Sequence, residues 1–170
     1  ELDLLPLILP ADEWAGIEAA VAQRATLLNQ VLLDIYGEQR LIAEGLLPPA
    51  LVYGHAGFLR PCRGIPAQGG VMLHHYAADL ARSPDGRWWV VADRTQTPSG
   101  AGYALENRLV ISRLFPDLFG RMKVQRLAAF FATLRESLAL ERAEWAYRHR
   151  PDRLRELSTI NFDRLGLLPL

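Results

Sequence analysis

Residues 79–108 read DLARSPDGRWWVVADRTQTPSGAGYALENR, and the fold turns on how this stretch is read. Ser83-Pro84-Asp85-Gly86 is turn chemistry: Pro presets φ, Asp bonds its own backbone, and Gly accepts a positive φ. Val71 to Leu80 before it and Arg87 to Asp93 after it are rich in apolar and aromatic residues. The two runs are therefore expected to pair as an antiparallel hairpin. Thr95 to Gly102 is a Ser/Gly/Pro loop, and Tyr103 to Leu114 has helical character.

Working outward, Asp12 is expected to cap a helix from about Glu13 to Tyr36. Trp14, Ile17, Val21, Leu28, Val31, Leu32 and Ile35 recur in it at helical spacing, and Gly37 ends it. A short helix near Glu38–Glu44 stops at Gly45 and Pro48-Pro49. Tyr53 to Gly70 is punctuated by Gly and Pro and reads as loop plus one short strand. Downstream, Val124 to Trp145 forms a long amphipathic helix, and an Arg-rich tail follows Pro151. The expected fold is α+β, an antiparallel sheet with flanking helices. Composition divides it into a helical segment at 1–50, a sheet-bearing subdomain at 51–140 and a helical tail at 141–170.

Half of the 170 residues are apolar and 22% are charged, so the chain can bury a core. Nineteen cations balance nineteen anions. That excludes the basic excess of a nucleic-acid or anionic-membrane binder. No apolar run has the roughly 18 residues needed to span a bilayer, and the acidic opening Glu1–Asp3 is unlike a signal peptide. The opening Glu in place of Met suggests a trimmed N-terminus. Cys62 is the one cysteine, which suits a reducing cytoplasm and reads as a small buried hydrophobe. His74 and His75, adjacent on a strand, face opposite sides and cannot share a metal.

Chemistry concentrates around the hairpin. Five residues separate Asp79 from Asp85-Gly86 and six separate that pair from Asp93. The two carboxylates are thus expected to meet across the ladder, with Cβ atoms about 5 Å apart. Such a pair repels unless a cation lies between, and hard oxygen ligands suit Mg²⁺. Arg94, Thr95 and Gln96 stand beside them. Ser99-Gly100-Ala101-Gly102 offers backbone N–H groups to an anion at a helix start. Glu106, Asn107 and Arg108 complete the polar cluster, and Arg60 is a candidate for a substrate carboxylate.

These residues resemble the metal-binding hairpin of ATP-grasp ligases. The closer likeness is to the circularly permuted ATP-grasp family, related to glutathionylspermidine synthase. It is carried by QRATLLNQVLLDIYGEQRLIAEGLLPP (23–49), FLRPCRGI (58–65), residues 73–108 and LFPDLF (114–119). It covers roughly residues 3–138, and ADRTQ-x-PSGAGYALENR is its most specific motif. The resemblance implies a partial, permuted ATP-grasp-like subdomain that uses ATP and Mg²⁺, with Asp79 and Asp93 as metal ligands. The family's Asn falls on Thr95, a poorer ligand, leaving Gln96 or Asn107 to supply an oxygen. Arg94, Arg108 and Glu106 become the catalytic candidates; Arg94, Gln96, Ser99, Gly100 and Asn107 become the nucleotide contacts.

By the same resemblance the whole protein would be a carboxylate–amine ligase acting through an acyl-phosphate on small-molecule or peptide-like substrates. Its lid lysines would come from a downstream domain or a second chain, since Lys123 is the one lysine present. Alone, this chain is expected to be inactive. The alternative is a non-catalytic ATP-grasp-derived module that binds partners. Calorimetry with Mg-ATP separates the two.

Overall fold

A computed structural model describes residues 6–149 apart from Thr97, with side chains described through residue 138 apart from Gln68 and Thr97. The tail beyond Pro151 lies outside the described residues. The fold is α+β, with helices α1 (Ala11–Tyr36), α2 (Arg40–Ala43) and α3 (Pro49–Tyr53), strands β1 (Ala77–Arg82) and β2 (Trp88–Arg94), then helices α4 (Ala101–Leu114), α5 (Pro116–Arg121) and α6 (Ala128–His149). Two compact units are present, Glu1–Pro98 and Ser99–Leu170. The division between them falls after Pro98, between the strands and α4.

In the first unit, α1 starts at Ala11 and not at an Asp12 cap. Pro10 holds the N-cap position without a side-chain bond, and its carbonyl accepts from Trp14 N–H at 2.9 Å. Asp12 lies one residue inside, where its charge and that of Glu13 favour the positive end of the helix dipole. The helix ends at Tyr36 as expected. A Cβ on Gly37 would lie 2.6 Å from the Leu33 carbonyl oxygen, so the chain can turn there only at glycine.

Asp34 then organises the turn. Its carboxylate accepts from the backbone N–H groups of Arg40 at 2.8 Å and Leu41 at 3.0 Å, which caps α2. Gln39 takes a left-handed φ of 60° and is 6% exposed. Its amide is satisfied on both sides, donating to the Ile35 carbonyl at 2.9 Å and accepting from the Tyr53 hydroxyl at 2.8 Å. Pro48-Pro49 does more than close α2. Pro49 opens α3, where its fixed φ and missing N–H suit the first helical position.

No strand forms between Tyr53 and Gly70; that segment contains two 3-10 turns, Arg60–Cys62 and Gln68–Gly70. Tyr36, Tyr53 and Phe58 cluster beneath it with ring centroids 5.3 and 5.6 Å apart. The buried apolar residues among those described are Ile17 and Val52.

The hairpin forms as expected, but β1 begins at Ala77 rather than Val71. Asn29 of α1 takes up the backbone that would have paired. Its Oδ1 accepts from Met72 N at 2.8 Å and Leu73 N at 3.0 Å, and its Nδ2 donates to Gly70 O at 2.9 Å. Ser83 N donates to Arg87 O at 2.9 Å and Gly86 N to Ser83 O at 2.9 Å. Gly86 takes φ 84°, as the closing position of a three-residue hairpin loop requires. From the turn the register runs Arg82↔Trp88, Ala81↔Trp89, Leu80↔Val90, then shifts by one to Asp79↔Ala92, Ala78↔Asp93 and Ala77↔Arg94. Val91 is the unpaired residue of a β-bulge.

In the second unit Gly100, at φ 106°, turns the chain into α4, which starts two residues before the expected Tyr103. Pro116 opens the short α5, and α6 starts at Ala128 rather than Val124. No helix among the described residues is long and apolar enough to cross a membrane.

Candidate functional site

The two acids of the hairpin do not meet. In an antiparallel ladder, paired residues share a face and neighbours along a strand alternate faces. Asp79 pairs with Ala92 and Asp93 with Ala78, so the two carboxylates leave the sheet on opposite sides. The bulge is the cause. Had the pairing begun at Arg82↔Trp88 continued without it, Asp79 would stand opposite Val91, and Asp93 would lie two residues along on the same face. One extra residue carries Asp93 to the other side.

That other side faces α1. Arg24 Nε donates to Asp93 Oδ1 at 2.6 Å and Arg24 Nη2 to Oδ2 at 2.6 Å, a bidentate fork between residues 69 positions apart. The Tyr76 hydroxyl donates to the same Oδ1 at 2.6 Å. Arg24 first, and Tyr76 second, hold the Asp93 carboxyl down at about 2. Burial, reinforced by the bond to Asp93, pushes the Tyr76 phenol up to about 12.

At the far end of the same face, Trp88 Nε1 donates to Glu13 Oε1 at 2.7 Å, and Arg82 Nη2 lies 3.1 Å from that oxygen. Glu13 and Arg24 are eleven residues apart on α1, about 16 Å at helical rise. Trp88 and Asp93 are five apart on β2, but with Val91 bulged they span only the four residues from Arg82 to Ala78 on β1, about 13 Å at strand rise. The two spacings differ by less than the reach of the side chains, so β2 is fastened to α1 at both ends.

On the outer face Asp79 is held by Arg94, whose Nη2 donates to Oδ2 at 2.6 Å and whose Nε lies 3.1 and 3.0 Å from the two oxygens. That guanidinium lowers the Asp79 pKa. Asp85 in the turn is likewise lowered, by the Ser83 hydroxyl and by Arg87.

The remaining sequence candidates divide between the two units. Thr95 and Gln96 are exposed past the end of β2. Arg60 is exposed, its guanidinium 5.4 Å from the centroid of the Tyr53 ring. In the second unit Ser99 and Gly100 precede α4, and Glu106 and Asn107 are exposed on it. Arg108 is half-buried and donates to the backbone carbonyl of Gln125. That bond ties the segment before α6 to α4. Cys62 is half-buried, as are both His74 and His75.

Magnesium asks for near-octahedral oxygen donors. Asp79, Asp93 and Thr95 do not fit that demand here. The acids point apart, each has both oxygens engaged by an arginine, and no group of three or more His, Cys, Asp or Glu that could hold a metal occurs among the described residues.

Sequence reasoning missed Glu13, Arg24 and Tyr76. A signal existed for the first two. Glu13, Ile17 and Arg24 fall on one stripe of α1, at i, i+4 and i+11, and Ile17 is buried. Charges on a buried stripe need partners.

The circularly permuted ATP-grasp type 2 family model matches residues 6–153. An uncharacterized protein of Mycobacterium tuberculosis is 41% identical over 137 residues, covering 81% of this chain and 16% of that protein. One of Synechocystis is 39% identical over 137 residues, covering 81% of this chain and 28% of that protein. A third, of Mycobacterium leprae, is 36% identical over 137 residues, covering 81% and 24% respectively. The chain spans between about a sixth and just over a quarter of the length of these relatives. This chain belongs to the circularly permuted ATP-grasp type 2 family.

Proposed function

We propose that this chain is one part of an ATP-dependent carboxylate–amine ligase that acts through an acyl-phosphate, with a peptide-like substrate. The observation that carries the reading is the family match over residues 6–153. ATP-grasp proteins generally bind ATP and Mg²⁺. In the reaction a substrate carboxylate oxygen attacks the γ-phosphorus and ADP leaves; an amine nitrogen then attacks the acyl carbon, phosphate leaves and the amine gives up a proton.

The residues of this chain would contribute binding and orientation. Ala104 N is the first helical donor of α4, bonding Gly100 O at 2.9 Å. The N–H groups of Ala101, Gly102 and Tyr103 precede it and are not bonded within the helix, and they would meet a phosphate oxygen together with Ser99. On the second unit Glu106 and Asn107 would add nucleotide contacts, and Arg108 keeps N–H groups beyond the one bonded to Gln125 for a phosphate oxygen. On the first unit, taken by itself, Gln96 is proposed as a nucleotide contact and Arg60 as the partner of a substrate carboxylate, and Arg94 keeps N–H groups beyond those bonded to Asp79 for phosphate. A cytoplasmic setting with ATP at hand goes with this reading.

Isothermal calorimetry with ATP tests it. Heat of binding is expected, and Gly100→Val, which a positive φ disfavours, should weaken it by roughly tenfold. No heat from nucleotide points to the second reading, a non-catalytic module that presents a partner surface. Leu27 at 63%, Leu51 at 65% and Val91 at 68% exposure favour that one.

A further inference from the structure

We infer that Asp79 and Asp93 are framework counterions of the hairpin, and that any magnesium this protein uses is held by oxygen donors outside it. The inference stands on geometry and does not need the ligase reading to hold.

The first ground is direction. The bulge at Val91 places Asp93 beneath α1 and leaves Asp79 on the outer face, so the thickness of the sheet separates them. No side-chain rotation brings both to one cation; the strand itself would have to slip by a residue. The second ground is occupancy. Arg24 and Tyr76 deliver three bonds of 2.6 Å to Asp93, and Arg94 grips Asp79 at 2.6 Å. A divalent ion would have to displace two charge-assisted forks, while Thr95 could add only a hydroxyl.

The third ground is what the arrangement does instead. Glu13 and Arg24 present opposite charges three turns apart on one face of α1, and β2 meets them with complementary groups, Trp88 at one end and Asp93 at the other. Reversing the strand or sliding it by one residue would break both fastenings. Asp93 therefore specifies how the hairpin lies on α1, and the bulge is the device that lets it do so. Arg24 is a positioning residue in this scheme.

Manganese, which shares magnesium's preference for oxygen and broadens nearby resonances, supplies the test. Amide spectra of the labelled chain are recorded during titration with Mn²⁺ alone. Asp79, Ala92 and Asp93 are expected to lose intensity no faster than the chain average. Arg24→Gln repeats the experiment with Asp93 released, and Asp79→Asn does so with the outer acid removed. Both should behave as wild type. Selective loss at the hairpin acids of more than about twofold over the average, in wild type or in Arg24→Gln, would overturn the inference, since carboxylates that share a metal site recruit the ion once freed.

Discussion

The two faces of the hairpin carry the same chemistry to different effect. Each has an aspartate gripped by an arginine, but on the outer face Arg94 is the neighbour of Asp93 on β2 and reaches across a single ladder to Asp79. On the helix-facing side Arg24 arrives from α1, 69 residues away, and Tyr76 joins it. The Asp79 side chain is 43% exposed and that of Asp93 26%. An ion pair formed within a hairpin adds little, because its partners are already close and water screens them. One formed between elements selects an arrangement. So the helix-facing pair should matter more to the fold, although both look alike in a table of distances.

The sharpest way to break that comparison is to move the acid across the sheet. Exchanging Ala92 and Asp93, as Ala92→Asp with Asp93→Ala, should put the carboxylate on the outer face, directly opposite Asp79. Arg24 and Tyr76 would lose their acceptor, and two carboxylates would face each other. Thermal unfolding by circular dichroism should shift down by roughly 5 °C or more. An unchanged midpoint would mean the face on which the acid stands is incidental. A smaller change is expected from Asp93→Asn, which keeps the shape and removes the charge. After allowance for solvent screening the cost is on the order of 1 kcal/mol, a midpoint lower by roughly 3 °C.

The pH dependence of that difference has a definite sign. Asp93 has its folded pKa depressed from 3.8 to about 2, so its contribution is fully present above pH 4. It is lost as pH falls from about 4 towards 2 and the folded carboxylate takes up its proton. Melting curves of wild type and Asp93→Asn should therefore converge across that window. Curves that stay parallel down to pH 2 would remove the ion pair as the cause.

Much of this was legible beforehand, and the reason for the exceptions is physical. Ser83-Pro84-Asp85-Gly86 named the turn, Gly37 ended α1, and the run from Ser99 to Arg108 announced both the start of α4 and the family. The faces of the acids were not legible, because Val90-Val91 gives no sign of which valine pairs, and one unpaired residue inverts everything beyond it. Val71-Met72-Leu73 looked like strand on residue type, yet Asn29 had claimed its backbone. Partners that lie 41 to 75 residues away, as for Asn29, Arg24 and Glu13, leave no local trace beyond a polar residue on a helical stripe. Among the candidate site residues the sequence supplied the inventory and not the directions in which the side chains point.

Tyr76→Phe separates the hydrogen bond from the charge. It deletes one donor to Asp93 while leaving the Arg24 fork in place, so the loss should be about 1 kcal/mol or less. The phenol also carries its own signature. With its folded pKa raised from 10.0 to about 12, Tyr76 contributes stability that is intact below pH 10 and disappears as pH climbs towards 12, where the unfolded chain gains by ionising first. Ultraviolet titration of the tyrosines should show one late phase near pH 12, absent from Tyr76→Phe.

The outer acid completes the series. Asp79→Asn should move the melting midpoint by no more than about 1 °C, because its one partner is local and the pair is well solvated. If Asp79→Asn instead costs as much as Asp93→Asn, then distance along the chain does not separate the two faces. The hairpin would then depend on its outer pair for its own formation, which is what an unsupported two-stranded ribbon would need. Measuring both variants in the same buffer, at high and low salt, decides between these. A surface pair weakens as salt screens it, whereas the more protected Arg24–Asp93 fork should weaken less.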